Sequence, residues 1–217
     1  MSRNNHDGKR KSRNMRAFRI PELGYYLILT DTRETEENYF TGFRDSLPRE
    51  AQKHLVIKVI PKVETKNLVS RCVEELDKDP HYRIPWIVFG RDQVSDFDSI
   101  IEEAKQKEIH TGWSNPCFEI WLHAYLETPP FSETSVQSCE KFGHAFKRIT
   151  KQEYDKADKS IYVKLKMYGN EIKAIQRSKQ KCKSSNQSLQ KLSPTSQYSV
   201  TTVYALVEEI LKKVESL

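Results

Sequence analysis

Apolar residues in this chain fall into short unbroken runs separated by stretches of helical spacing. Tyr25-Tyr26-Leu27-Ile28-Leu29, Leu55-Val56-Ile57-Lys58-Val59-Ile60 and Pro85-Trp86-Ile87-Val88-Phe89 read as strands. They are short, nearly continuous and rich in branched and aromatic side chains, as strands buried on both faces are. Glu108 to Gly112 predicts a fourth, shorter strand. Between the runs, apolar positions recur every three or four residues: Tyr39, Phe40 and Phe43; Leu68, Val69, Cys72, Val73 and Leu76; Phe97, Ile100, Ile101 and Ala104. These stripes predict amphipathic helices, the second stopped by Asp79-Pro80. Strands alternating with helices imply βαβ units and a largely parallel sheet.

The pattern changes after Thr128-Pro129-Pro130. Val136, Cys139, Phe142 and Phe146 keep helical spacing, as do Ile161, Leu165 and Tyr168, then Ile172 and Ile175. Ser184 to Tyr198, rich in Ser, Gln and Lys, predicts a loop, and Thr201 to Val214 a last helix. No further strand is expected. The implied organisation is a basic tail (1–20), an α/β core (21–130) and a helical C-terminal part packed on it (131–217).

Composition narrows the function classes. The formal charge of +6 gives mild attraction to polyanions. No apolar stretch approaches a membrane span, and the polar, basic N-terminus lacks the apolar core of a secretory signal. Cys72, Cys117, Cys139 and Cys182 are scattered without zinc or redox spacing, which predicts reduced thiols in a cytoplasmic protein. His81, His110, His123 and His144 share no metal spacing either, so no soft or imidazole metal cluster is expected. His123 follows Glu119 by four residues, a spacing that permits a contact on one helix. Seven glycines and no glycine-rich loop argue against a P-loop or dinucleotide fingerprint. Tyr25, Tyr26, Trp86 and Trp113 lie in or beside strands and are expected in the core rather than as stacking platforms for bases.

Candidate chemistry lies at the strand ends. Asp31 and Glu36 follow the first run, Asp92 the third, and Glu119 the fourth. Asn115-Pro116 predicts an N-cap and first turn, with Glu119 beside the positive end of the helix dipole. Glu119 is thus either a capping residue or part of a site. Acidic residues at the carboxyl ends of parallel strands are where open α/β sheets build sites. Hard divalent cations need several oxygens converging from different loops. Arg177 to Lys183, with Lys179, Lys181 and Lys183, is either a solvated helix end or an edge that contacts phosphate.

Asp31-Thr-Arg-Glu-Thr-Glu-Glu-Asn-Tyr-Phe, Phe89-Gly-Arg-Asp92, Ser114-Asn-Pro-Cys-Phe-Glu119-Ile-Trp-Leu and Val200-Thr-Thr-Val-Tyr-Ala-Leu-Val-Glu-Glu-Ile resemble the RloB-like family. The resemblance runs from about Tyr25 to the end, and Asn-Pro-Cys-Phe-Glu is its most specific part. It implies a Toprim-like fold and a role in abortive-infection and other phage-defence systems, often beside an ATPase partner. It also implies a nuclease using Mg²⁺ or Mn²⁺ on nucleic acid, RNA such as tRNA rather than DNA. Asp31, Glu36, Asp92 and Glu119 would then hold metal. Glu36, Asp92 and Glu119 would serve catalysis, and Asn115, Lys179, Lys181 and Lys183 would meet substrate. Two departures stand out. Asp31-Thr32 replaces the family's Glu-Gly, and Gly90 replaces the first aspartate of Asp-Arg-Asp. The loss at Gly90 opens the alternative of an inactive Toprim-like subunit that binds an ATPase or nucleic acid.

Overall fold

A computed structural model describes residues 21–31, 34–78, 83–92, 94–186 and 192–217. The basic tail, Thr32, the Asp79-Pro80 stop, His81 and part of the Ser184–Tyr198 segment lie outside these residues. Five strands form one sheet: β1 (Gly24–Thr30), β2 (Leu55–Ile60), β3 (Arg83–Gly90), β4 (His110–Asn115) and β5 (Val200–Thr201). Their order is β2-β1-β3-β4-β5, parallel except for β5. The α/β class and the mostly parallel sheet are therefore as expected.

Alternate strand residues point to opposite faces. Tyr26, Ile28, Trp86 and Val88 pack on one side with α1 (Thr35–Asp45), α5 (Glu119–Leu126) and α9 (Val203–Glu215). Leu27, Leu29, Ile87 and Phe89 pack on the other with α3 (Leu68–Lys78) and α4 (Phe97–Gln106). Each large side chain so buried contributes roughly 1.5–3 kcal/mol. The four tyrosines and tryptophans expected in the core divide: Tyr26, Trp86 and Trp113 are buried, while Tyr25 is half-buried with Arg83 stacked over its ring. A short helix the pattern did not predict, α2 (Arg49–His54), leads directly into β2.

The C-terminal part corrects the sequence reading. It holds α6 (Ser135–Thr150), α7 (Ile161–Tyr168) and α8 (Glu171–Asn186), but also a strand. β5 pairs with the end of β4, Ser114 with Thr201 and Asn115 with Val200. Two residues are too few to show a period, so only the partner strand reveals it. α9 then starts at Val203 and lays Leu206, Val207 and Ile210 into the same core as β1 and β3. A buried network ties the parts further. Tyr125 and Tyr162 donate to Glu171 at 2.8 and 3.0 Å, and the Tyr39 and Tyr125 hydroxyls lie 2.8 Å apart.

Candidate metal centre

The chain leaves β1 toward β2 on one side and reaches β3 on the other, so the connections diverge at the carboxyl ends of β1 and β3. Such a divergence leaves a crevice in open α/β sheets. Here it has a volume of about 440 Å³, and Asp31, Glu36, Asp92 and Glu119 all line it. Asp31 directly follows β1, and Asp92 lies two residues beyond β3. Glu36 and Glu119 sit in the first turns of α1 and α5. The sheet thus unites four carboxylates that are distant in sequence. Glu34 and Glu64 stand on the exposed wall, and Lys156 is the cationic residue of the lining among the described residues.

Each carboxylate has a distinct environment. Asp31 Oδ2 accepts from the Thr65 hydroxyl at 3.2 Å, whereas its buried Oδ1 has no hydrogen-bond partner. Burial pushes the Asp31 carboxyl up to about 6, against the pull of Thr65 and of the Gly90 and Asp31 backbone amides; the Asp92 charge adds to the rise. Glu36 is 1 % exposed. Burial, then the charges of Asp31 and Glu119, raise its carboxyl well above the usual range. Asp92 is exposed and accepts from the Ser135 hydroxyl at 2.6 Å.

Glu119 is 3 % exposed, yet it shifts the opposite way. Burial opposes its charge, but Lys156, the Cys117 thiol and its own backbone amide outweigh burial and hold its carboxyl below the ordinary range. Lys156 Nζ lies 3.2 Å from Glu119 Oε1, and Tyr154 donates to the same oxygen at 3.1 Å. Burial acts to lower the Lys156 pKa; the Glu119 carboxylate, with Cys139, more than offsets it and raises the ammonium's pKa. Neighbouring carboxylates are therefore driven toward different protonation states, an arrangement typical of acid–base and metal sites.

An acidic set of this kind suits a hard divalent cation. The donors are carboxylate oxygens from separate elements, and the orphaned Asp31 Oδ1 is an acceptor that a bound cation would satisfy. The structure contains no ion. Asp31, Glu36, Asp92 and Glu119 are the residues that would hold one.

The other candidates fall elsewhere. Asn115 does not cap a helix: it ends β4, and α5 begins at Glu119. Its side chain is fully buried and its amide donates to the Pro194 and Thr195 carbonyls at 3.0 and 2.9 Å, so it anchors a loop, while its Oδ1 has no hydrogen-bond partner. Pairing with β5 carries the strand through the position read as an N-cap. Lys179 pairs with Glu208 at 2.5 Å, and Lys181 donates to the Pro129 carbonyl at 2.5 Å. Lys183 is exposed in the last turn of α8. None of the three lines the crevice. His123 faces Glu127 at 3.3 Å rather than Glu119.

Sequence reasoning missed Lys156, Tyr154, Ser135 and Cys139. All come from the C-terminal part, in segments with no local motif. The expectation of no soft metal cluster is also corrected. Ligand atoms of Cys117, Glu119 and Cys139 lie within 4.8 Å of one another, because α6 packs against α5. Cysteines 22 positions apart fit no zinc-binding spacing, and only the helix pairing joins them.

A family model described as RloB-like protein matches residues 26–210. No curated protein and no solved structure matches the chain. No helix among the described residues is long and apolar enough to cross a membrane.

Proposed function

The chain belongs to the RloB-like protein family, and from this premise we propose that its acidic crevice is the centre of a divalent-metal-dependent nuclease. Its substrate would be nucleic acid, RNA such as tRNA rather than DNA, and its role that of a cytoplasmic effector in an abortive-infection system with an ATPase partner. The observation that carries the reading is the meeting of Asp31, Glu36, Asp92 and Glu119 at the divergence of β1 and β3, with one buried aspartate oxygen unsatisfied. The relation to Toprim nucleases, with Mg²⁺ or Mn²⁺, belongs to the same reading.

When bound, the ion would neutralise phosphate charge and lower the pKa of a bound water. Asp31, Glu36 and Asp92 supply the oxygens for it. Glu119, kept ionised by Lys156, would orient the site with a fixed negative charge; its lowered pKa makes it a weak proton acceptor. Tyr154 and Lys156 fix that carboxylate's position. The half-exposed Lys156 can also meet the charge of an incoming phosphate.

A second reading, an inactive subunit that binds an ATPase or nucleic acid, is favoured by Gly90. It lines the crevice without a side chain, at the position where the resemblance implies aspartate. A Cβ placed there would lie 3.1 Å from the Pro116 carbonyl oxygen and 3.3 Å from Cys117 Cα, so any side chain at this position requires the backbone of the Pro116–Cys117 turn to give by a few tenths of an ångström.

Isothermal titration with Mg²⁺ and Mn²⁺, alongside cleavage of tRNA and single-stranded DNA, tests both readings. Cleavage should need the ion, stop with EDTA, and disappear in Asp31→Ala, Asp92→Ala and Glu119→Ala proteins that remain folded. If only Gly90→Asp binds tightly and cleaves, the site assignment stands and the chain carrying Gly90 is inactive. Metal-independent cleavage, or full activity in Asp92→Ala, would overturn the proposal.

A further inference from the structure

We infer that Cys117, Glu119 and Cys139 form a second cation site, selective for thiophilic divalent metals such as Zn²⁺ and Co²⁺. Cys117 and Glu119 also line the hard-cation crevice, so the two sites adjoin, but the thiophilic site does not otherwise rest on the nuclease reading.

Three observations support the site. First, the two sulfurs and a Glu119 oxygen lie within 4.8 Å of one another. Two thiolates bound to one zinc ion at about 2.3 Å each sit roughly 3.8 Å apart in tetrahedral geometry, so small side-chain adjustments suffice. Second, the ligands are held by packed elements. Cys117 lies in the turn between β4 and α5, and Cys139 in α6, whose N-terminus is capped by Thr134. Third, there is a path of entry. Cys139 is only partly buried, and Lys156, the cation now beside Glu119, has a half-exposed flexible side chain that can move to solvent.

Ligand chemistry separates this site from its neighbour. Thiolates select Zn²⁺, Cd²⁺ or Co²⁺ over Mg²⁺, which prefers oxygen. Three protein ligands leave the fourth tetrahedral position for water. Because one Glu119 carboxylate serves both sites, a thiophilic ion draws it from the hard-cation crevice. Zn²⁺ would then weaken Mg²⁺ or Mn²⁺ binding.

Co²⁺ titration of the intact chain, fully reduced with a non-thiol phosphine, reads the site directly. Thiolate ligation gives near-ultraviolet charge-transfer absorption and intense visible bands. The expected result is saturation at one Co²⁺ per chain and displacement by Zn²⁺. Cys139→Ser and Cys117→Ser should each lose most of the absorption. Cys139 is the less buried of the two, so its variant is the safer test should Cys117→Ser melt early. Cys72→Ser, Cys182→Ser, Asp31→Asn and Asp92→Asn should keep the bands. The two aspartate variants separate this site from the hard-cation site, which they impair. Absence of the bands in reduced protein with four titratable thiols would overturn the inference. So would bands that persist in Cys139→Ser, or that vanish in Asp92→Asn.

Discussion

Asp31 shows how one residue links stability, pH and metal. An unfolded aspartate loses its proton near pH 4, whereas in the fold Asp31 keeps it until about pH 6. Between these values the folded state binds more protons than the unfolded one. The group's contribution is therefore fully present below about pH 4 and is lost as the pH rises through 6. Glu36, raised by burial, acts in the same direction. Metal-free Asp31→Asn should therefore be more stable than the natural chain at pH 8, by about 1–3 kcal/mol. It should also show a flatter pH dependence. Thermal melts from pH 4 to 8 in EDTA check this, and an Asp31→Asn protein that melts lower at pH 8 would count against it. Mg²⁺ should raise the melting temperature of the natural chain at pH 8 and progressively less below pH 6, where protons compete for the same oxygens.

At the scale of elements, the turn between β4 and α5 separates scaffold from chemistry. Asn115 holds the Pro194–Thr195 turn with two buried donor contacts. Asn115→Ala should cost roughly 2 kcal/mol in urea unfolding, yet leave Mg²⁺ affinity within about twofold. A large loss of affinity in a folded protein would return Asn115 to the site. Thr134 caps α6 by accepting from the Gln137 amide at 3.3 Å. Thr134→Ala should cost about 1 kcal/mol and soften the helix that positions Ser135 and Cys139.

For the molecule as a whole, the helical part is built into the core rather than appended to it. Glu171 accepts from Tyr125, Tyr162 and Lys166, and so joins α8 to α5 and α7. Glu171→Ala would leave two buried hydroxyls without their acceptor. The expected cost is about 3 kcal/mol, with unfolding still a single cooperative transition. Two separate urea transitions would instead show that the C-terminal part is an independent unit.

All four expected strands, the α/β class and the four crevice carboxylates were legible in the sequence; the two-residue β5 was not. Strands buried on both faces make continuous apolar runs. A sheet with parallel βαβ connections places its strand ends on one rim, so Asp31, Asp92 and Glu119 could be placed together from chain order alone. Local pattern failed where a residue's environment is supplied from far away. Asn115-Pro116 satisfies the chemistry of a helix start as well as that of a strand end, and pairing with Val200 decides between them. Lys179 and Lys181 look like a phosphate-binding run, but packing against α9 and the Pro129 carbonyl engages them within the chain. Lys156, Tyr154 and the Cys117–Cys139 pair reach Glu119 only because α6 and the segment after it fold back over α5. Sequence periodicity records which face of an element is buried; only the tertiary structure decides which distant side chain meets it there.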